Sequence, residues 1–246
     1  MNFAKNNLIL VADAHLNDSG TDEKFFRMLD RISALPSSYH VIFLGDIYDL
    51  WFALPYYESD SQKRFLQWCE KEKQKRTVYF LEGNHEFFVA RNRKRYFTKI
   101  AAGKITDGNL QFLHGDRINS ADWKYFLLRM VLRNPVTALI MWIGHSIGMS
   151  VAWKIREKLR HTNQIHKKTF PIKYVRKTLR KAEKKQIRTL IAGHFHQQGT
   201  IQEKSCLMYI LPAYAIDGEI GLYNTESAVL TVGTPEQILT ERNNAQ

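Results

Sequence analysis

Three features of the sequence predict a layered α/β domain: short apolar runs that end in polar turns, helical patterns between them, and ample apolar content. Residues 8–12, 41–44 and 78–81 are strand-like runs, each followed at once by a polar or glycine-containing turn. Between the first two, Thr21 is placed to cap a helix, with Asp22 and Glu23 in its first turn. Phe25, Phe26, Met28, Leu29 and Ile32 supply its apolar face, and it should end near Pro36. Phe65, Leu66, Trp68 and Cys69 mark a second helix that runs into the charged stretch 71–76. Strand, helix, strand, helix, strand is the order of an α/β layer. Further short strands are expected at 110–113, 189–192, 207–211 and 228–232.

The composition supports a folded domain. The chain has 246 residues, 44% hydrophobic and 12% aromatic, enough for a buried core, which excludes an intrinsically disordered chain. That length suits one domain of above-average size, or a compact domain carrying an insertion. Cys69 and Cys206 make neither a disulfide framework nor a paired-cysteine zinc site, so a reducing compartment is expected. The apolar run 8–11 is too short for a signal peptide or anchor, which adds a cytoplasmic expectation.

The net charge of +12 is localised. Residues 154–188 hold 14 Lys and Arg against two acidic residues, and the remainder holds 22 of each sign. One stretch therefore carries the whole excess and reads as an attachment surface. Just before it, residues 134–153 contain no Asp, Glu, Lys or Arg. Their length would admit a membrane span, but Gly144, His145, Ser146, Gly148 and Ser150 interrupt the apolar run. A span would also separate motifs that need one site.

A helical lid over 121–185, inserted between 1–120 and 186–246, is the expected arrangement. Within it Ile172, Val175, Leu179 and Ala182 recur at helical spacing. Lys173, Arg176, Lys177, Arg180, Lys181, Lys184 and Lys185 cover the rest. An uncharged segment bearing Trp142 and Trp153 beside a basic amphipathic one is a membrane-surface pattern. Trp123, Tyr125, Phe126 and the loop residues Trp51, Phe52, Tyr56 and Tyr57 could extend an apolar groove. The bland alternative is a helix core with a solvated cationic face. Nucleic-acid phosphates are a third partner for the lysines, disfavoured because the apolar residues are not interleaved as stacking platforms.

Chemistry gathers at five strand exits. Asp13-Ala14-His15 follows the first strand, Gly45-Asp46-Ile47-Tyr48-Asp49 the second and Gly83-Asn84-His85-Glu86 the third. His114-Gly115-Asp116 follows 110–113, and Gly193-His194-Phe195-His196 follows 189–192. Ligand sites in open α/β sheets lie outside the carboxyl ends of strands, so these turns can converge. Each motif alone is commonplace, whereas all five in order, each at a strand exit, form a specific signal. Asp13 and Asp46 brought together would repel without cations between them. Imidazoles and carboxylates with one Asn amide oxygen suit Mn, Fe, Zn or Co. Two such ions about 3.5–4 Å apart can clamp both oxygens of an in-line displacement at phosphorus.

The ordered set, spanning residues 13–196, resembles the calcineurin-like metallophosphoesterases. That resemblance implies a four-layer α/β/β/α sandwich with a two-metal site and a helical lid insertion. It assigns Asp13, His15, Asp46 and His196 to one ion, and Asp46 (shared), Asn84, His114 and His194 to the other. His85, aided by Asn84, would stabilise the transition state or protonate the leaving oxygen, with Glu86 orienting its imidazole. Asp49 would hold a ligand histidine by its free N–H.

Within that family the chain is similar to the UDP-2,3-diacylglucosamine hydrolases of bacterial lipid A biosynthesis. Shared features are the length, Asp49-Leu50-Trp51, His114-Gly115-Asp116, Asp122 and a helical insertion before the last motif. The resemblance implies a manganese-dependent, peripheral membrane pyrophosphatase that releases UMP and 2,3-diacylglucosamine 1-phosphate, with no protein partner. Asp122 would contact substrate; Asn163, Lys167 and Lys168 are added from position and polarity. The chain departs from those hydrolases in having His85-Glu86 where they usually have Arg-Asp, and Gln197-Gln198 where Arg-Pro is common. Histidine at that place is the pattern of the wider superfamily. It keeps open a phosphodiesterase acting on nucleic acid or cyclic nucleotides. A non-catalytic scaffold is the remaining alternative, against which stands a ligand set with no member missing.

Overall fold

The computed structural model describes residues 6–17, 22–119, 127, 130–144, 154 and 170–240. In chain order its elements are β1 (Asn7–Val11), α1 (Asp22–Ala34), β2 (Tyr39–Phe43), β3 (Trp51–Phe52) and α2 (Asp60–Glu72). They continue with β4 (Val78–Leu81), β5 (Glu86–Phe87), α3 (Val89–Asn92), β6 (Lys99–Ala101), β7 (Lys104–Asp107) and β8 (Leu110–Leu113). After these come α4 (Pro135–Ile143), α5 (Ile172–Glu183), β9 (Thr189–Ala192), β10 (Gly199–Glu203) and β11 (Cys206–Ile210). Last are α6 (Tyr214–Asp217), β12 (Ile220–Asn224), β13 (Val229–Gly233) and α7 (Pro235–Thr240).

Two large sheets form the centre, in the orders β13-β12-β1-β2-β4-β6 and β10-β11-β9-β8-β7. β1, β2, β4 and β6 run parallel in the first, and β8, β9 and β11 in the second. Parallel pairing brings the carboxyl ends of β1, β2 and β4 to one edge, and those of β8 and β9 likewise. Strands covered on both faces read as continuous apolar runs, which is why 78–81, 110–113 and 189–192 coincide with the expected strands. Leu8, Leu10, Ile42, Leu44 and Leu81 from the first sheet meet Phe112 and Ile191 from the second in one core.

Outside the first sheet, α1, α2 and α7 bury Phe25, Leu29, Phe65, Leu66, Ile238 and Leu239 against Val41, Phe43 and Phe80. A reciprocal capping box between Ser59 and Gln62 starts α2. α1 starts at Asp22, so the expected Thr21 cap lies outside the described residues.

The outer layer of the second sheet comes from the C-terminal end of the expected insertion. That layer is α5, whose Val175, Leu179 and Ala182 are buried against Leu190, Ala192, Met208 and Ile210. The expected lid, 121–185, thus includes a helix built into the sandwich. Periodicity identifies its apolar stripe; only the tertiary structure shows that a sheet covers it. The cationic side chains Lys173, Arg176, Lys177, Arg180 and Lys181 form its exposed face, and Lys184 and Lys185 are exposed just after it. α1, α2 and α7, the two sheets, and α5 make the four layers α/β/β/α.

α4 is different. Asn134 caps it by accepting the Val136 N–H at 2.8 Å, and Pro135 occupies its first turn. Met141 and the preceding Leu132 pack on Phe52, Leu54, Phe87 and Phe88. Tyr57 Oη donates to the Met141 carbonyl at 2.9 Å. Val136, Leu139, Ile140, Trp142 and Ile143 stay at least half exposed. Among the described residues no helix is long and apolar enough to cross a membrane.

Leu179→Ala should cost about 3 kcal/mol, as core truncations do, and lower Tm by roughly 6–12 °C for a domain of this size. Lys181→Ala, on the solvent face of the same helix, should stay within about 0.5 kcal/mol. A calorimetric scan of both variants checks this. Equal, negligible shifts would place α5 outside the sandwich.

Candidate metal centre

The five turns meet where the carboxyl edges of the two sheets adjoin. Backbone bonds lock them together: Asp13 N–H donates to Gly45 O at 3.1 Å, His15 N–H to Asp46 O at 3.0 Å and Gly193 N–H to His114 O at 2.9 Å. Side chains cross between sheets as well. His194 N–H donates to Asp13 Oδ2 at 2.7 Å, and His114 Nδ1 lies 2.8 Å from Leu44 O. A carbonyl only accepts, so His114 Nδ1 carries the proton and Nε2 is left for a ligand.

Such close convergence needs unusual backbone. Asp13, His15, Asp46, His194 and His196 all adopt positive φ, between 45° and 72°. Non-glycine residues hold that conformation at a cost of about 1–3 kcal/mol each, and only where the surroundings over-determine it. Two glycines make the approach possible. A Cβ on Gly83 would overlap the Asp46 carboxylate, and one on Gly193 would lie 2.6 Å from Asp13 Oδ2.

The result is two donor groups. Asp13, His15 and His196 form one, and Asp46, His114 and His194 the other; within each, the donor atoms lie within 4.8 Å of one another. His15 Nε2 is 3.4 Å from His196 Nε2, which is 3.5 Å from Asp13 Oδ1. In the second group His114 Nε2 lies 3.2 Å from Asp46 Oδ2, 3.2 Å from His194 Nδ1 and 3.1 Å from Asn84 Oδ1. Asp13 Oδ1 and His196 Nδ1 are buried without a hydrogen-bond partner, a state that proteins avoid unless another ligand satisfies the atom. Borderline donors gathered around orphaned atoms fit two divalent ions.

The protein field agrees. Burial opposes charge on Asp46, but the His114 and His85 imidazoles hold its carboxyl well below the usual range. Burial would lower His114, yet the Asp46 carboxylate outweighs it and raises the imidazole to about 10. Burial and the neighbouring His114 push His194 down to about 4. Without metal, a proton on His114 balances Asp46; a cation entering the group displaces it.

Two further acidic residues lie beside the donor groups. Asp49 Oδ1 lies 3.4 Å from His15 Nδ1, the ring nitrogen on the far side from His196. Glu86, expected to orient the His85 imidazole, does something else. Its carboxylate accepts the backbone N–H groups of Gly83 at 2.6 Å, Ile47 at 2.7 Å and Asp46 at 2.9 Å. It therefore clamps the second and third ligand turns to each other. His85 instead sets its Nδ1 against Asp49 O at 2.6 Å, which turns Nε2 towards Asp46 Oδ2, 3.9 Å away. Glu86 is fully buried, and alternation in a two-residue ladder gives no hint of its partners.

Arg133 is a residue that sequence reasoning misses: it reaches the Gly83–Glu86 turn from the approach to α4. No local signal marks it, because its partners are 47–51 positions away. Asp122, Asn163, Lys167 and Lys168 lie outside the described residues, as do Trp123, Tyr125, Phe126 and Trp153.

Glu86→Ala strands three buried N–H groups, at about 1–3 kcal/mol for each unsatisfied group. A lowered denaturation midpoint together with lost hydrolysis is expected. An unchanged midpoint with reduced activity would restore the imidazole-orienting role.

The comparisons with known proteins converge on this geometry. UDP-2,3-diacylglucosamine hydrolase of Pseudomonas putida strain KT2440 is 25% identical over 210 residues, covering 77% of this chain and 82% of that protein. The enzyme of the same name from Psychromonas ingrahamii is 25% identical over 201 residues, covering 77% and 80%. The calcineurin-like phosphoesterase family matches residues 7–198, from β1 to just past the last metal-ligand motif. The chain belongs to the calcineurin-like phosphoesterase family and is a metal-dependent phosphoester hydrolase.

Proposed function

We propose that the chain hydrolyses the pyrophosphate of a nucleotide–lipid, UDP-2,3-diacylglucosamine or a close analogue, to UMP and 2,3-diacylglucosamine 1-phosphate. The observation that carries this reading is α4: an uncharged helix with five large exposed apolar side chains, rooted on Phe87, the residue after Glu86. Exposed apolar surface rooted at a catalytic rim suits acyl chains rather than a free nucleotide. The names of the curated relatives support the same substrate.

Manganese is the proposed ion, on the mixed imidazole, carboxylate and amide donors. Two divalent ions supply Lewis-acid polarisation of a phosphoryl group and a water of lowered pKa. In this reading Asp13, His15 and His196 would hold one ion and Asn84, His114 and His194 the other, with Asp46 contributing its carboxylate to the pair. The residues of the chain divide the remaining work. His85 Nε2, directed by the bond from Nδ1 to Asp49 O, faces the reacting phosphoryl group. Burial favours the neutral ring, whose one proton is on Nδ1, so it is as the imidazolium, protonated also on Nε2, that His85 stabilises the transition state or gives a proton to the leaving oxygen. Asp49 fixes His15, and Asp122, Asn163, Lys167 and Lys168 contact the substrate.

The proposed location is the cytoplasmic face of the inner membrane. Phe170, just before α5, packs on Phe195 between His194 and His196, with ring centroids 4.9 Å apart. The basic helix thus begins beside the metal turn, and its exposed lysines and arginines suit anionic headgroups. The same cations, with His85, favour the second reading, a phosphodiesterase of nucleic acid or cyclic nucleotides.

Incubation of UDP-2,3-diacylglucosamine with the protein and manganese should release UMP, with Asp46→Ala inactive. Turnover of an artificial phosphodiester without any UMP release at high enzyme concentration would overturn the lipid reading. Ile140→Ser with Ile143→Ser should reduce turnover of the lipid by roughly 30-fold, since each exposed aliphatic side chain is worth about 1 kcal/mol or more when buried. The same pair should leave the artificial diester within twofold. Equal losses on both substrates would remove α4 from the lipid site.

A further inference from the structure

We infer that Arg133 is a positioning residue for hydrolysis, joining the apolar helix α4 to the turn that carries Asn84 and His85. Its guanidinium straddles that turn. Nη2 donates to Gly83 O at 2.7 Å and Glu86 O at 2.8 Å, while Nη1 donates to Glu82 Oε2 at 2.7 Å. Glu82 is buried, and its other oxygen accepts the Ala90 N–H of α3 at 2.6 Å. From the opposite side, Glu86 accepts the Gly83 N–H. The peptide groups bracketing Asn84 and His85 are therefore held by a carboxylate on their N–H side and a guanidinium on their carbonyl side.

The turn is where small displacements count. Asn84 Oδ1 sits 3.1 Å from His114 Nε2, within the second donor group, and His85 Nε2 faces Asp46. A misplacement of about 1 Å at reacting groups can cost about 10²-fold in rate. Arg133 grips the carbonyls on either side of these two residues, so it acts on them through the backbone. The guanidinium is shaped for this. Its planar fork can serve two carbonyls and a carboxylate at fixed angles, whereas a lysine is a single point charge.

The sequence position of Arg133 gives the link a second consequence. It lies two residues before Pro135, the first residue of α4, and one after Leu132, which packs with Phe87 and Phe88. A ligand that shifts α4 pulls on the same carbonyls that place Asn84 and His85.

The inference rests on the hydrolase chemistry and not on the lipid reading, so its test uses bis(p-nitrophenyl) phosphate with manganese. Arg133→Lys should keep the wild-type Tm within a few degrees and KM within twofold, while kcat falls about 10–100-fold. Arg133→Met paired with Glu82→Gln, which leaves no unpaired buried charge, should show the same fall in kcat. Either variant folding normally with kcat within twofold of wild type would reduce Arg133 to an ordinary ion pair and overturn the inference. A raised KM with unchanged kcat would overturn it equally. Absence of UMP release from the lipid substrate would leave this test unaffected.

Discussion

Asp13 and Asp46 place two buried carboxylates in one pit between the sheet edges, both almost wholly inaccessible. An uncompensated buried carboxylate costs several kcal/mol, so this pair dictates what must surround it. Four imidazoles do so in the two donor groups. His114 takes up a proton next to Asp46, and the lowered carboxyls of both aspartates reflect the same attraction. Cations relieve the requirement more fully than protons, because they also satisfy Asp13 Oδ1. The positive φ angles of five ligand-bearing residues follow from the same demand: short side chains reach a common centre only if the backbone turns sharply at each strand exit. Gly83 and Gly193 then let those turns touch. Stability is given up locally so that charge can be gathered, as at functional sites generally.

The legible part of this arrangement is what neighbouring residues determine. Strands 78–81, 110–113 and 189–192 announce themselves because both faces are buried and every residue can be apolar. β7 does not, since only Ile105 of its four residues is buried, and β3 and β5 are two residues each. β12 is hidden by Gly221, which interrupts its apolar run where Leu211 and Leu230 crowd close. The candidate ligand residues are readable because each follows a strand exit directly. Their supports are not. Glu86 meets Asp46 and Ile47 across about forty positions, and Arg133 meets Glu82 across about fifty. Nothing in a linear pattern tells a carboxylate that orients an imidazole from one that gathers three N–H groups.

The boundary of the insertion escapes a linear reading for a related reason. A period of 3.6 reveals that Val175, Leu179 and Ala182 share a face, and is silent on whether lipid, another helix or a sheet covers it. The sheet does, which completes the fourth layer and removes α5 from the lid.

This relocation changes the meaning of the charge. Five of the 14 basic residues in 154–188 decorate the outer face of α5, a position where any sandwich helix needs polar side chains, and Lys184 and Lys185 follow its last residue. Their clustering still raises the local potential, and Arg180 already engages Glu203 at 3.0 Å, so part of it is neutralised at home. A basic face alone therefore does not separate a membrane from a nucleic acid. The separation comes from α4, where exposed side chains are aliphatic and aromatic with no charge among them. Phosphate-binding surfaces have no use for such a helix, whereas acyl chains gain from each side chain covered. The two helices also reach the metal turns by different routes, α4 through Phe87 and α5 through the Phe170–Phe195 contact. In the proposed reading, an amphiphile with its apolar part on α4 and its anionic part towards α5 would carry its phosphoryl groups to the two donor groups.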